Sequence, residues 1–186
     1  MIAYHLDRTR KMTPNSVLEL ITTTSNSNDQ TTNLYGFDKV SLWGMSCYNF
    51  LENLYSPTNT IPDFSSANSF QIDLQAEIIR QNFFPEKPSR FKSIFAVEKL
   101  KEFLLWSDYL EVNNQSHIYE IEFKESQCCK LDAYFLKGGI SSHNIQDKEA
   151  LIKYWSGKMS DNPLPELVIQ LPVRVKRLLS PSEFII

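Results

Sequence analysis

Lys87-Pro88-Ser89-Arg90-Phe91-Lys92-Ser93-Ile94-Phe95-Ala96 runs without a break into Val97-Glu98-Lys99-Leu100-Lys101-Glu102-Phe103-Leu104-Leu105-Trp106. Pro88 sets an extended approach, Phe91, Ile94 and Phe95 suit a short strand, and from Ala96 onward apolar residues recur at helical spacing. The stretch predicts a strand-to-helix corner. Arg90 and Ser93 then lie beside unpaired backbone N–H groups at a helix start, where an anion gains from the donors and from the helix dipole. Two readings follow: a phosphate site, or a structural corner in which Arg90 caps or salt-bridges a neighbouring element. No glycine-rich phosphate loop precedes the helix.

Outward from this corner, Met1 to Arg8 alternates apolar and polar residues and predicts a strand close to the N-terminus. Lys11 to Pro14 turns the chain, Asn15 to Thr22 suits a short element, and Thr22 to Asn33 is a polar run expected to form a surface loop. Phe37 to Tyr55 carries a broad apolar helical face, with Asp38 as a candidate N-cap. Ser56 to Ser66 holds Pro57 and Pro62 and is expected to be a loop; Ser69 to Phe84 predicts a second helix, ended by Pro85.

Beyond Trp106, His117 to Phe123 alternates strictly as a half-buried strand does. Leu131 to Leu136 is expected to pair with it across a turn containing Cys128 and Cys129, with Gly138-Gly139 closing the hairpin region. Asp147 to Trp155 predicts a third helix stopped by Gly157. Glu166 to Leu171 and Val173 to Leu179 are β-rich runs hinged at Pro172. Strands first, helices in the middle and strands last predict an α+β domain, 1–186, with helices gathered around a mainly antiparallel sheet.

The 186 residues can bury a core without staples, and 19 basic against 22 acidic side chains give a formal charge of -3, which does not suit a uniformly basic nucleic-acid surface. Local basic groups remain at Arg8, Arg10 and Lys11 and at Arg174, Lys176 and Arg177. Cys47, Cys128 and Cys129 fit neither an oxidised framework nor a zinc spacing, so a reducing cytoplasmic home and no metal are expected. No window reaches the ~18 apolar residues of a membrane span, and no export signal is legible, so no membrane partner is expected.

Glu166 stands at the mouth of an apolar strand after Pro163-Leu164-Pro165, either projecting into a cleft or lying solvated at a strand edge. His5 within the first strand suits a ligand contact or a satisfied structural role. Tyr154-Trp155 suits an aromatic wall for a ligand or the closure of a core. No serine or cysteine sits in a nucleophile elbow, no pair of histidines has metal spacing, and neither a Walker loop nor a dinucleotide glycine fingerprint is present, which demotes hydride, P-loop and zinc chemistry.

The order of these residues resembles the core motifs of the ADP-ribosyltransferase superfamily, in its His-Tyr-Glu-like branch: Tyr4-His5 on the first strand, Arg90 to Ala96 running into a helix, and Glu166 opening a late strand. More closely, the whole chain is similar to a family of small stand-alone bacterial proteins long classed as of unknown function and grouped with these transferases, toxins and phage-defence effectors among them. The resemblance implies a split sheet with NAD, as substrate, lying across its cleft. His5 would bond the adenosine ribose, Arg90 and Ser93 would hold phosphate or ribose oxygens, Phe91 or Phe95 would stack on the nicotinamide, and Tyr154 would line the ligand. Glu166 would be catalytic, stabilising the positive charge that develops as the glycosidic bond breaks. The implied activity is mono-ADP-ribosylation of a macromolecular acceptor, protein or nucleic acid, with an antitoxin or neutralising protein as a further expected partner. The alternatives on the same fold are an RNA 2′-phosphotransferase-like enzyme and a non-enzymatic interaction or antitoxin-type module.

Overall fold

The structure, a computed structural model, describes residues 1–22, 38–55, 64–107, 109–110, 112–113, 115–137 and 148–184. In chain order come β1 (Ile2–Leu6), β2 (Val17–Leu18), β3 (Ile21–Thr22), β4 (Lys39–Val40), α1 (Leu42–Tyr55), α2 (Phe64–Phe83) and β5 (Ser93–Ala96). β6 (Ile118–Glu122), β7 (Cys128–Asp132), α3 (Tyr134–Lys137), α4 (Lys148–Ser156), β8 (Pro165–Gln170) and β9 (Val173–Leu178) follow. The expected α+β class is what the described residues form.

The strands make a four-stranded sheet in the order β1-β6-β9-β2, a three-stranded sheet in the order β5-β8-β7, and the small pair β3-β4. Every strand pairing among the described residues is antiparallel. The two larger sheets meet at one backbone bridge, where Tyr4 and Val97 exchange two hydrogen bonds of 2.9 Å. They part again at Pro172: β8 lies in the smaller sheet and β9, two residues later, in the larger.

Alternation decides the layering. Ile94, Ala96, Leu167 and Ile169 of the smaller sheet share a buried cluster with Ala3, Ile121, Val173 and Val175 of the larger, so the sheets pack face to face. The other face of the smaller sheet, carrying Leu131 and Val168, packs on Ala76 of α2 and on Leu151, Tyr154 and Trp155 of α4. β8 is thus covered on both sides, which explains its near-continuous apolar sequence. Each fully buried Val, Ile or Leu in it contributes about 1.5–3 kcal/mol.

Several expectations are corrected. The predicted helix from Ala96 is instead the end of β5, the Val97 bridge, and a 3-10 helix over Leu100–Trp106. Val97, Leu100, Phe103 and Trp106 supply the inward face, and that three-residue period matches 3.0 residues per turn. Leu131 to Leu136 is not the partner of the 117–123 strand. Cys128 and Cys129 lie in β7, which pairs with β8, while β6 lies between β1 and β9. The turn sits at Glu125–Gln127, where the Gln127 amide donates to the carbonyls of Gln170 and Pro172 at 3.0 and 2.9 Å.

Asp38 is not the N-cap of α1. Its neighbours Lys39 and Val40 pair with Thr22 and Ile21, and Ser41 caps instead, its hydroxyl accepting the Gly44 N–H at 3.2 Å. The second helix begins at Phe64, so the loop expected to reach Ser66 ends earlier. Residues 15–22 form two strand fragments that belong to different sheets. α4 forms where the sequence predicts it, with Gly157 at φ 78° closing it. The polar run beyond Thr22, residues 56–63, and Gly138-Gly139 lie outside the described residues.

Asp7 ends β1 and builds the following turn. Its buried carboxylate accepts the N–H groups of Thr9, Arg10 and Met12 at 2.9, 3.0 and 2.8 Å and the Thr9 hydroxyl at 2.7 Å. Burial opposes its charge, yet these bonds outweigh it and hold the carboxyl below its ordinary range. A depressed acid stabilises the fold above its unfolded pKa of about 3.9, and that contribution is lost as pH falls through the lower folded value. In urea unfolding, wild type should exceed Asp7→Asn by its full margin at pH 7, and the margin should shrink below about pH 4. A margin constant with pH would dismiss this account.

A buried arginine–carboxylate–phenol site

The connection from α2 into β5 is held by side chains, and that is what aims Arg90. Glu77 accepts the Ser89 hydroxyl at 3.0 Å through Oε2 and Arg80 Nε and Nη2 at 3.0 and 2.8 Å through Oε1. Arg80 Nη1 donates onward to the carbonyls of Pro85 and Lys87 at 3.1 and 3.0 Å. The chain then makes a short 3-10 turn, Arg90–Lys92, with Ser89 as its cap.

Arg90, only 7% exposed, reaches between α2, α4 and β8. Its Nε donates to Asp73 Oδ1 at 2.7 Å and its Nη1 to Glu166 Oε1 at 2.7 Å, and Nη1 also donates to the Tyr154 hydroxyl. That hydroxyl donates in turn to Glu166 Oε1 at 2.7 Å. The guanidinium carbon sits 4.3 Å from the centre of the Phe95 ring and 5.6 Å from that of Tyr154, so the cation also lies over an aromatic face. Register explains the meeting: Phe95 is opposite Val168, and Glu166 and Val168 share the helix-facing side of β8.

One formal cation stands against two formal carboxylates. Burial alone would weaken the Arg90 charge, but Asp73 and Glu166 outweigh it and raise its pKa well above the ordinary value. Burial, reinforced by Glu166, likewise pushes the Tyr154 phenol well up, so it remains a donor. Glu166 is 5% exposed, and among the described residues its Oε2 takes no hydrogen bond. Cys129, on the same face of β7 as Leu131, has its thiol pushed up to about 12, chiefly by burial, and is no thiolate nucleophile.

The structure brings Arg90, Phe95, Tyr154 and Glu166 together, and it connects His5 through the backbone. The half-buried His5 ring donates from Nδ1 to the Phe95 carbonyl at 2.6 Å; burial lowers its pKa, so the ring is neutral near pH 7 and Nε2 is an acceptor. Phe91 and Ser93 are not in the cluster. Phe91 packs near Phe70 and Cys47, and the Ser93 hydroxyl donates to the Ser89 carbonyl at 2.6 Å. Of the two candidate aromatics, Phe95 therefore faces the arginine. The solvated-edge reading of Glu166 fails because β8 is an inner strand. The salt-bridging reading of Arg90 holds.

Asp73 and Trp43 were not singled out by the sequence. Trp43 Nε1 donates to Asp73 Oδ2 at 2.6 Å. The available signal was that Asp73 and Glu77, four apart, fall on the helical face of Phe70, where a carboxylate needs a buried partner. The basic groups near the C-terminus face acids: Arg177 lies 3.2 Å from Glu120 and 2.8 Å from Glu183, and Lys176 3.5 Å from Glu120. Among the described residues no helix is long and apolar enough to cross a membrane.

Fold and site together define an α+β fold with two larger antiparallel sheets and a small strand pair, and an arginine–carboxylate–phenol centre buried beneath two helices. The chain belongs to DUF2441, a family described as a protein of unknown function, whose model matches residues 3–180. That match spans His5, Asp73, Arg90, Phe95, Tyr154 and Glu166. A comparison with curated proteins finds no match.

Proposed function

We propose that the chain is an NAD-dependent mono-ADP-ribosyltransferase with Glu166 as its catalytic residue. The observation that carries this reading is the asymmetry of the Glu166 carboxylate: Oε1 is fixed by Arg90 and Tyr154, and Oε2 is left as an acceptor at the end of a buried strand. A carboxylate fixed on one side and free on the other suits a ribose hydroxyl, and its charge favours the cationic sugar formed as nicotinamide departs. The neutral His5 ring, bonded to Phe95, offers Nε2 to a second ribose hydroxyl. ADP-ribose would pass to a protein or nucleic-acid acceptor, as in a toxin or phage-defence effector with a neutralising partner.

Incubation with NAD tests the reading directly. Released nicotinamide and an added ADP-ribose mass on an acceptor are expected, and NAD at ~100 times its dissociation constant adds ~2.7 kcal/mol, a rise in Tm of roughly 5–11 °C. The absence of both nicotinamide release and a Tm shift at millimolar NAD would sink it. The near-complete burial of Arg90 and Glu166 favours the second reading, a non-enzymatic interaction module that keeps the cluster for its fold alone. An RNA 2′-phosphotransferase would need arginine donors turned to an RNA phosphate, and Arg90 is turned to Asp73 and Glu166.

A further inference from the structure

We infer that Asp73, held by Trp43, is a positioning residue for Glu166; this rests on the transferase reading above. The guanidinium does not grip one carboxylate with two parallel bonds. It bridges two, through Nε to Asp73 and through Nη1 to Glu166. Asp73 therefore determines the rotation of the guanidinium about its stem, and that rotation determines whether Nη1 meets Oε1. The Trp43 N–H on Oδ2 fixes the Asp73 carboxylate in turn.

Trp43 belongs to α1, whose start is clamped to the same turn that bears Arg90. The Ser41 N–H and hydroxyl both donate to the Phe91 carbonyl, at 2.8 and 3.1 Å. Gly44 makes the approach close enough, since a Cβ there would come within 2.3 Å of the Phe91 carbonyl oxygen and 2.7 Å of Val40 Cβ. The path from α1 to the reacting oxygen is Trp43, Asp73, Arg90 and Glu166, with a hydrogen bond at each link. Its function is to keep Oε1 occupied and Oε2 aimed at the ribose.

The test is steady-state nicotinamide release from NAD by wild type, Asp73→Asn, Trp43→Phe and Glu166→Gln, each checked by circular dichroism and assayed well below its Tm. Misplacing a reacting group by ~1 Å can cost ~10²-fold, so kcat should fall about 10- to 100-fold in Asp73→Asn, with KM for NAD within about threefold. Trp43→Phe keeps an aromatic ring, though a smaller one, and loses the indole N–H, and should show a smaller loss, again in kcat. Unchanged kcat in folded Asp73→Asn and Trp43→Phe, or a change confined to KM, overturns the positioning role while an inactive Glu166→Gln leaves the transferase reading standing. A wild type that neither releases nicotinamide nor is stabilised by NAD overturns the reading and this inference together.

Discussion

Glu166→Gln should lower nicotinamide release from NAD by ~10²-fold or more while the protein stays folded. The substitution is nearly isosteric, and the amide oxygen can still accept from Arg90 and Tyr154 in the place of Oε1. What changes is the other side: an NH₂ donor replaces the Oε2 acceptor, and the negative charge opposite the developing cation is gone. Arg90 keeps Asp73 at 2.7 Å, so its charge is not stranded. Converting the charged bond to a neutral one should cost about 1–3 kcal/mol of stability, or roughly 2–12 °C in Tm for a chain of this length. An assay at 25 °C separates the two effects. A folded Glu166→Gln protein with turnover close to wild type would remove Glu166 from the chemistry.

Arg90→Ala should be the more damaging change to the fold. It leaves Asp73 and Glu166 buried at 4% and 5% exposure with no cation between them, and it empties the space over Phe95. Breaking a buried ion pair by deleting one partner commonly costs about 3–5 kcal/mol, equivalent to roughly 6–20 °C in Tm. Urea unfolding at pH 7 measures this, and a loss under about 1 kcal/mol would contradict the buried-pair account. The result also governs how ligand experiments are interpreted. Loss of NAD response in Arg90→Ala would not locate the ligand, because the same substitution dismantles the group that holds Glu166.

The site was legible where local pattern carries chemistry. Glu166 is a carboxylate inside an apolar strand, Arg90 precedes a short aromatic strand, and Tyr154 closes a helix; each is unusual on its own segment, and the three converge. Asp73 was not legible because α2 is polar enough overall that one more acid on it looks solvated; only its burial against Arg90 shows otherwise. The error at Leu100 to Trp106 has the same character. Apolar residues there fit a 3.6 period nearly as well as a period of three, and the Val97 bridge to Tyr4 selects the tighter turn.

The β7 error shows how far local reading reaches. Strict alternation from His117 to Phe123 identified a strand correctly, but alternation carries no information about which strand lies beside it. β7 follows β6 closely in sequence and nevertheless pairs with β8, because Leu131 and Val168 must share the face that α2 and α4 cover.

By itself, then, the sequence determined the class of fold, the positions of β1, β6, α4, β8 and β9, and the residues with unusual chemistry, since each depends on periodicity or composition within some ten neighbours. Only the tertiary structure decided which sheet each strand joins, and that Arg90 is shared between Asp73, 17 residues away, and Glu166, 76 residues away. A buried charge takes whichever counter-charge packing brings within about 3 Å, and separation along the chain does not encode that distance.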